Sequence, residues 1–464
     1  MPQDPVPGLL IRSTELLEQQ FSALPAAGPA FESAADPGAM ARILEGVARR
    51  LGDNYPYFHP LYAGQMLKPP HPVARAAYAL AMTINPNNHA RDGGRASSEM
   101  EIEAVREIAG VFGWTEFLGH LTSSGTLANL EALWVAGQLA PGKRIVGSEQ
   151  AHYTHQRISA VLKLNYAPIA ADHRGCMSMD ALETELRKGD VGTVVVTLGS
   201  TAIGAVDPLD EVLALRERYG FRVHVDGAYG GYFRLISEAL AEPARRAFAA
   251  ISQADSIVID PHKHGLQPYG CGCILFRDPS VGRFYKHDSP YTYFTSKQLH
   301  LGEISLECSR AGAAAVALWA TQQLLPLVPG GEFARGLAHG RTAALNLDRK
   351  LREDRTGRFQ PLAAGAPQLD IVVWKLKAET SEQSSELAQK VFDACAARDL
   401  HLALVQLPLK WFEPATGLEP ESLAAKGAGL VTCLRSVLMK PEHEAWLDRI
   451  WERLTASCDE VMGK

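Results

Sequence analysis

The chain has 464 residues, of which 46% are hydrophobic and 21% charged, a composition typical of folded globular proteins. This length predicts more than one structural unit. Its 46 basic and 52 acidic residues give a net charge of -6 and are mixed along the sequence, which argues against nucleic acid or an anionic membrane as a partner.

Signals for export, membrane insertion and zinc binding are not seen in the sequence. The start, "MPQDPVPGLL", is acidic and rich in proline, so we expect no export signal. The most apolar stretch, "AGAAAVALWA" at 311–320, is too short to span a bilayer. Seven cysteines are an odd number for a disulfide framework, and Cys271 and Cys273 lie too close together for the usual zinc spacing. We therefore predict a reduced, cytoplasmic protein without a metal site.

Residues 1–92 are rich in proline and aromatic residues, as in "DNYPYFHPLYAGQMLKPPHP", and predict an N-terminal arm of extended chain or short helices. Residues 93–330 alternate apolar runs with helical patterns. The runs are "RIVGSEQ", "GTVVVTLGS", "FRVHVDGAYG", "DSIVIDPHK" and "GCGCILFRD". This alternation predicts a largely parallel sheet covered by helices. The last run follows its predecessor too closely for a helical crossover, which predicts an antiparallel pair.

One helix of this region has clear end signals. In "DPLDEVLALRERYG", at 207–220, Asp207 is predicted to cap the helix, Pro208 suits the first turn and Gly220 suits the end. From residue 331 the pattern changes to "LDIVVWKLKA", a helix near 381–398, "LHLALVQLPLKW", "LVTCLRSVLM" and a final amphipathic helix. Residues 331–464 are therefore predicted to form a small α+β domain.

Polar residues follow three of the apolar runs, at the strand ends where open α/β sheets bind ligands. "TVVVTLG" leads into Ser200 and Thr201, "FRVHV" leads into Asp226, and "SIVID" leads into His262 and Lys263. Because the carboxyl ends of parallel strands meet at one edge of a sheet, we expect a hydroxyl pair, a carboxylate and a lysine to face one crevice.

A candidate anion site precedes the fold's first strong helical pattern. "HLTSSGTLANLEALWVAG" places Ser124, Gly125 and Thr126 before a helix predicted over 127–136. Amides at a helix N-terminus bind phosphate or carboxylate, although the same residues also make an ordinary N-cap. Together, a lysine to react with an aldehyde, a carboxylate to keep a pyridine nitrogen protonated and a phosphate site match the needs of pyridoxal phosphate.

These motifs also carry a family resemblance. "DPHK" after an apolar strand, "HVDGAY", "TLGSTAIGAVD", "EQAHYTHQRIS" and "LECSRAGAAAVALWA" resemble the group II pyridoxal-phosphate-dependent amino-acid decarboxylases, in order over roughly residues 55–330. "HPLYAGQM", "INPNNH", "ASSEMEIEAVREIAGVFGW" and "DPHKHGLQPYGCG" resemble the tyrosine decarboxylase branch. The resemblance implies an α/β enzyme of fold type I, similar to aspartate aminotransferase, that converts an aromatic L-amino acid to the amine and carbon dioxide.

The resemblance further implies roles for single residues. Lys263 corresponds to the Schiff-base lysine, Asp226 to the partner of the pyridine nitrogen and His152 to the imidazole stacked over the ring. Tyr291, with Tyr293 as the alternative, corresponds to a tyrosine on a mobile loop that protonates the substrate α-carbon. The other implied cofactor contacts are Ser124, Gly125, Thr126, Thr201, Ala228, His262 and, donated by a second subunit, Ser309. The last contact implies a homodimer with shared active sites.

Three other functions stay open on the sequence alone. A carbon–carbon lyase of the sphingosine-phosphate type shares the fold and a similar Asp/Lys pair. An aldehyde synthase couples decarboxylation to oxidative deamination, and a regulatory protein binds the cofactor without turnover. The presence of Lys263, Asp226 and His152 argues against the last. An aromatic substrate is favoured by Tyr55, Tyr57 and Phe58, which lie in the arm that lines the pocket in the resembling family.

Overall fold

The computed structural model describes residues 4–25, 36–286, 300–413 and 429–463. Numbered in chain order, its α-helices are α1 (Val6–Gln20), α2 (Pro37–Leu51), α3 (Pro72–Met82), α4 (Arg95–Val111), α5 (Gly125–Leu139), α6 (Thr154–Val161), α7 (Met179–Leu186), α8 (Leu209–Tyr219), α9 (Ala244–Ala249), α10 (Gly312–Leu324), α11 (Glu332–Glu353), α12 (Ser381–Ala396) and α13 (His443–Met462). Its strands are β1 (Leu118–Thr122), β2 (Arg144–Ser148), β3 (Tyr166–Ile169), β4 (Val191–Thr197), β5 (Arg222–Asp226), β6 (Ser256–Ile259), β7 (Gly272–Phe276), β8 (Phe359–Pro361), β9 (Ile371–Leu376), β10 (Ala403–Pro408) and β11 (Leu430–Val437).

Strands β1 to β7 form one sheet in the order β1-β7-β6-β5-β4-β2-β3. The neighbours from β3 to β6 run parallel, whereas β7 is antiparallel to both β6 and β1. This confirms the predicted mostly parallel sheet and the predicted antiparallel pair. The carboxyl ends of β4, β5 and β6 consequently lie side by side.

Strand β4 illustrates why these sequences form a covered sheet. Its valines 194–196 are fully buried. Val194 and Val196 belong to one apolar cluster, whereas Val195 belongs to another, as expected when successive side chains of a strand point to opposite faces. Both faces are therefore packed against other elements, and a run of β-branched apolar residues is the pattern that such a strand requires.

Helix α8 follows β4 and has the predicted end but not the predicted cap. Gly220 adopts a left-handed conformation with φ of +68° and closes the helix, as predicted. The prediction that Asp207 caps the helix is wrong, because Pro208 takes the cap position. The carboxylate of Asp207 turns inward instead and accepts hydrogen bonds from the backbone N–H groups of Met177 at 2.7 Å and Thr197 at 2.8 Å.

The second sheet has the order β10-β11-β9-β8 and is antiparallel throughout. Helix α12, which confirms the helix predicted near 381–398, packs on β9, β10 and β11, and α11 and α13 complete the cover. This arrangement agrees with a small α+β unit after residue 331. The division into residues 1–92, 93–330 and 331–464 stays a prediction.

The described part of the N-terminal arm contains the helices α1, α2 and α3, with turns and irregular chain over residues 52–71. Asp36 caps α2 by accepting from the backbone N–H groups of Gly38 and Ala39, and Pro37 occupies the first turn. Neither α1 nor α2 buries a residue within the described chain. None of the helices in the described ranges combines the length and the apolar character needed to cross a bilayer.

Candidate active site

A cavity of about 200 Å³ lies at the carboxyl ends of β4, β5 and β6, beside the N-terminus of α5. Most of the residues predicted from the sequence line it: Ser124, Gly125, Thr126, His152, Thr201, Asp226, Ala228, His262 and Lys263. Ser309 is exposed and does not line the cavity of its own chain. Tyr291 and Tyr293 lie outside the described residues. Ser200 does not line the cavity, because its hydroxyl accepts from the backbone N–H of Ala205 within its own loop.

The N-terminus of α5 forms one wall of the cavity. The Ser124 hydroxyl caps the helix by accepting from the backbone N–H of Leu127 at 3.2 Å. The next residue, Gly125, packs directly on the turn after β6, since a Cβ atom there would lie 2.4 Å from Oδ1 of Asp260. Small residues thus let the backbone amides at the start of α5 approach a bound group, which is the requirement for an anion site.

Asp226 is the last residue of β5, and its side chain is buried at the edge of the sheet. Oδ1 accepts from the backbone N–H of Ala228 at 3.1 Å, and Oδ2 accepts from Nε2 of His155 at 2.8 Å. Burial by itself raises the pKa of Asp226, but the hydrogen bond from His155 and the positive charge of Lys263 outweigh burial and hold the pKa below its ordinary value. The carboxylate therefore stays charged inside the cavity.

Lys263 lies in the turn after β6, where its backbone N–H donates to the carbonyl of Asp260 at 2.9 Å. Its Nζ lies 3.0 Å from Oδ2 of Asp260. The neighbouring His262 is fixed through Nδ1, which lies 2.7 Å from the carbonyl oxygen of Cys271. Asp260 therefore keeps the amine inside the cavity, next to a histidine of fixed orientation.

His152 precedes α6, and its Nδ1 is hydrogen bonded with the Thr154 hydroxyl. Burial lowers the pKa of His152 below its ordinary value, so that the ring is neutral near pH 7. A neutral aromatic ring suits stacking on a flat bound group. Thr201 and Ala228 line the same cavity.

Sequence reasoning missed several residues of the site. Asn129, Thr154, Thr197, Tyr229 and Asp260 also line the cavity. All five stand in sequence stretches quoted above, one residue or more from the side chains that were singled out; Tyr229, for example, follows Ala228, and Asp260 lies two residues before His262. A sequence motif shows which residues are close along the chain, whereas their directions are set by the turns after the strands.

The small sheet reaches the cavity region through Asp370, which precedes β9. The Tyr229 hydroxyl donates to Oδ1 of Asp370 at 2.6 Å, and Nε2 of His264 lies 3.3 Å from Oδ2. His264 follows the lysine, and Tyr229 follows Ala228. One buried carboxylate thus contacts both loops that border the cavity, and it links them to the C-terminal unit.

A family model gives the chemical identity of this fold and cavity. The model described as "Pyridoxal-dependent decarboxylase conserved domain" matches residues 54–326, more than half of the chain. The chain belongs to the pyridoxal-dependent decarboxylase family. This decarboxylase is accordingly an enzyme that removes carbon dioxide from an amino acid with pyridoxal 5'-phosphate as cofactor. The family resemblance and the fold type predicted from the sequence are confirmed.

Curated relatives and a solved structure agree with this membership. The L-tyrosine decarboxylase of Enterococcus faecium is 27% identical over 551 aligned residues, which cover 92% of this chain and 88% of the relative. The L-tyrosine decarboxylase of Levilactobacillus brevis is 28% identical over 64% of this chain, and this chain spans 63% of the relative's length. Oryza sativa TDC, solved with PLP and tryptamine, has a TM-score of 0.75 at 17% identity, with coverage of 100% of this chain and 99% of that chain, a likeness of fold alone.

The residues of the cavity fit the cofactor of the family. Thr197 Oγ1 and Asp260 Oδ1 are buried without a hydrogen-bond partner among the described residues, and both side chains line the cavity. Buried polar atoms of this kind are the expected partners of a polar ligand. Within the described ranges, no group of three or more His, Cys, Asp or Glu side chains is arranged to hold a metal ion.

Proposed function

We propose that this decarboxylase converts an aromatic L-amino acid, with tyrosine as the leading candidate, to the amine and carbon dioxide. The observation that carries the chemistry is that Lys263, Asp226 and the N-terminus of α5 line one cavity. The aromatic substrate is supported by the L-tyrosine decarboxylases among the relatives. Tyr55 and Phe58 are exposed. Neither these two residues nor Tyr57 line the active-site cavity of their own chain. Their part in the substrate pocket would therefore require a second subunit.

We propose that Lys263 would hold pyridoxal phosphate covalently through its Nζ, which lies 3.0 Å from Oδ2 of Asp260. The amides of Gly125 and Thr126 would bind the phosphate, Asp226 would face the pyridine nitrogen, and the neutral His152 would cover the ring. Bound pyridoxal phosphate supplies the ring that accepts the bonding electrons of the departing carboxylate. Thr201 and His262 line the remaining space and would contact the ring substituent and the phosphate.

The attachment at Lys263 is tested by reduction with borohydride. Peptide mapping of the reduced holoenzyme should find the pyridoxyl label on the peptide that contains Lys263. A Lys263→Arg variant, which keeps a positive charge beside Asp260, should carry no label. Label on any other lysine of the wild-type enzyme would refute the assignment.

We propose that a loop tyrosine, Tyr291, delivers a proton to the substrate α-carbon after carbon dioxide has left. This residue lies in "DSPYTYF", outside the described residues. A phenol that closes over the cavity can supply the proton while it excludes water. This step decides whether the product is the amine or, when dioxygen oxidises the decarboxylated carbon and water releases ammonia, an aldehyde.

We propose a homodimer with shared active sites. Ser309 is exposed beside the buried Arg310, in a position open to another subunit. Apolar side chains of α1 and α2 are exposed as well: Leu9, Ile11, Leu16, Met40, Ile43, Leu44, Val47 and Leu51. Repeated exposed apolar side chains of this kind are typical of a protein interface. Light scattering of the purified enzyme should give twice the chain mass of 50.3 kDa, whereas a monomeric active enzyme would rule the dimer out.

We propose a reducing, cytoplasmic location. All seven cysteines are free thiols, and only Cys308 is exposed. Free thiols persist in reducing compartments. Alkylation of protein taken directly from cells, without a reductant, should modify all seven after denaturation, and a disulfide found in such protein would contradict this location.

The substrate proposal is tested with the purified holoenzyme and a panel of L-amino acids. Carbon dioxide release should show the highest kcat/KM for one of tyrosine, phenylalanine, tryptophan or dihydroxyphenylalanine. If glutamate or aspartate is the better substrate, the aromatic assignment is wrong while decarboxylation itself stands. Product analysis separates the competing reactions, because an aldehyde synthase forms aldehyde with ammonia, and a sphingosine-phosphate-type lyase forms phosphoethanolamine-like fragments.

A further inference from the structure

His155 contacts Asp226 through Oδ2 of the carboxylate. It lies in the first turn of α6, three residues after His152, and its backbone N–H donates to the carbonyl of His152 at 3.0 Å. The side chain is fully buried, and Nε2 lies 2.8 Å from Oδ2 of Asp226. His155 is not among the residues that line the cavity. It therefore acts on a ligand there through a lining residue, and its side chain is hydrogen bonded to Asp226.

We propose that His155 is a positioning residue that keeps the Asp226 carboxylate charged and oriented toward the pyridine nitrogen of pyridoxal phosphate. The proposal rests on the assignment of Asp226 to that nitrogen in the proposed function. It gives a reason for a histidine in a fully buried position beside Asp226.

The hydrogen bonds of Asp226 carry the argument for orientation. A carboxylate has about four lone-pair sites on two oxygens. The protein occupies one site on each oxygen, through the backbone N–H of Ala228 on Oδ1 and Nε2 of His155 on Oδ2. These two donors fix the plane of the carboxylate and leave its remaining lone pairs for a ligand in the cavity, which Asp226 lines.

The burial of Asp226 carries the argument for charge. Burial disfavours an ionised carboxylate, and hydrogen bonds to the ionised form oppose that effect. Without the donor at position 155, Oδ2 would lose the one hydrogen bond that it receives from the described protein. A partly protonated Asp226 would compete with the pyridine nitrogen for the proton that this nitrogen must hold.

A neighbouring histidine provides a matched control. His224 is as deeply buried as His155, and the two ring centroids lie 6.3 Å apart. Its ring nitrogens are hydrogen bonded to Asn129 Oδ1 and Ser256 Oγ, each at 2.8 Å, instead of to Asp226. A substitution of His224 therefore disturbs the same core without removing a donor from the carboxylate.

Two amide variants test the donor directly. In His155→Gln the side-chain nitrogen reaches close to the position of Nε2 and can still donate to Asp226. In His155→Asn the same amide group is one carbon shorter and cannot reach it. The measurements are the dissociation constant of pyridoxal phosphate from each apoenzyme and the pyridine resonance of bound cofactor labelled with nitrogen-15, with His224→Gln as the control.

His155→Asn should weaken cofactor binding by about 10-fold or more, the loss typical of one hydrogen bond to a charged group. Its nitrogen-15 resonance should move toward that of an unprotonated pyridine. His155→Gln and His224→Gln should stay close to the wild type in both measurements. Because both readouts concern the bound cofactor, neither depends on which amino acid is the substrate.

The proposal is overturned if the Asn and Gln variants of His155 behave alike. Equal binding with an unchanged resonance would mean that the donor has no effect on the cofactor. An equal lowering of the unfolding temperature with an unchanged resonance would mean a purely structural role. Failure of the wild-type enzyme itself to bind pyridoxal phosphate would instead refute the proposed function.

Discussion

The contact between Gly125 and Asp260 leaves no room for a side chain. A Cβ at position 125 would lie 2.4 Å and 2.5 Å from the two carboxylate oxygens of Asp260, which also pairs with Lys263. Position 125 therefore couples packing to the cofactor site, because any atom added there displaces the partner of the lysine or the amides at the start of α5.

Gly125→Ala should destabilise the protein by about 1–3 kcal/mol, the usual cost of overpacking. It should also weaken pyridoxal phosphate binding, which is measured by titration of the apoenzyme. Gly110→Ala is the control, because a Cβ at that position in α4 meets no atom within 4 Å and should if anything stabilise the helix. An alanine at 125 that leaves both stability and cofactor affinity unchanged would disprove the close contact.

Tyr291→Phe removes only the hydroxyl proposed to protonate the α-carbon. Amine formation should fall roughly 100-fold or more, the effect typical of a lost general acid, and aldehyde with ammonia should become a larger share of the product. Cofactor affinity should not change. The measurement is the rate of each product with the preferred substrate. Tyr293→Phe is the matched control, and a collapse there with normal rates at 291 would move the role two residues along.

At the scale of elements, helix α13 begins with a buried titratable group. His443 is its first residue and is fully buried, and its Nδ1 accepts from the backbone N–H of Lys440 at 3.1 Å. Burial, with the nearby positive charge of Lys440, lowers the pKa of His443 from 6.5 to about 3. The imidazole is therefore neutral in the folded protein at neutral pH and must take up a proton when the chain unfolds in acid.

The sign of the pH effect follows from this shift. Between pH 6.5 and about 3 the unfolded chain binds one more proton at His443 than the folded protein does, so stability is lost as the pH falls through this window. The slope is up to about 1.4 kcal/mol per pH unit for one group. His443→Gln should therefore lose about 1.6 kcal/mol less than the wild type between pH 6.5 and 5, by urea unfolding.

A surface histidine serves as the control for this experiment. His173 is exposed, and His173→Gln leaves His443 in place, so the acid slope assigned to His443 should persist in this variant. An acid slope in His443→Gln equal to that of the wild type would show that His443 is not the group whose protonation weakens the folded state.

At the scale of the whole molecule, residues of both subunits form each active site in the proposed dimer. If the partner subunit donates Ser309, each active site takes Lys263 from one subunit and Ser309 from the other. Lys263→Ala and Ser309→Ala then remove residues that two different subunits contribute to the same site. Mixing the two inactive variants after dissociation should form heterodimers in which one of the two sites has both residues intact. Activity should return to about a quarter of the wild-type value for random pairing in a symmetric dimer.

The matched control mixes wild-type protein with a variant that carries both substitutions on one chain. In those heterodimers each site lacks one of the two residues, so activity should fall below the value expected from dilution alone. The assay is carbon dioxide release at limiting pyridoxal phosphate, where loss of a phosphate contact is most visible. If the single variants do not complement each other, Ser309 does not act across the interface.

Much of the fold and site could be read from the sequence, because the information is local along the chain. Short continuous apolar runs and helical patterns of period 3.6 identify strands and helices before any contact is known. In a parallel sheet, the residue that follows each strand must lie at the ligand-binding edge. Asp226, His262 and Lys263 were therefore found by their place after apolar runs, and the structure brings them into one cavity.

The remaining features were decided by tertiary structure. Asp207 stands where a helix cap is expected, yet its carboxylate is buried and accepts from Met177 and Thr197, because the fold brings those amides to it. No sequence pattern identifies His155 as the partner of Asp226, which is 71 residues away along the chain. The contact becomes visible only in the folded structure, where Nε2 of His155 lies 2.8 Å from Oδ2 of Asp226. The sequence thus determined which helices and strands form and which side chains lie at the cavity. The folded chain alone decided which groups contact each other, since hydrogen bonds depend on distances and directions that local patterns do not contain.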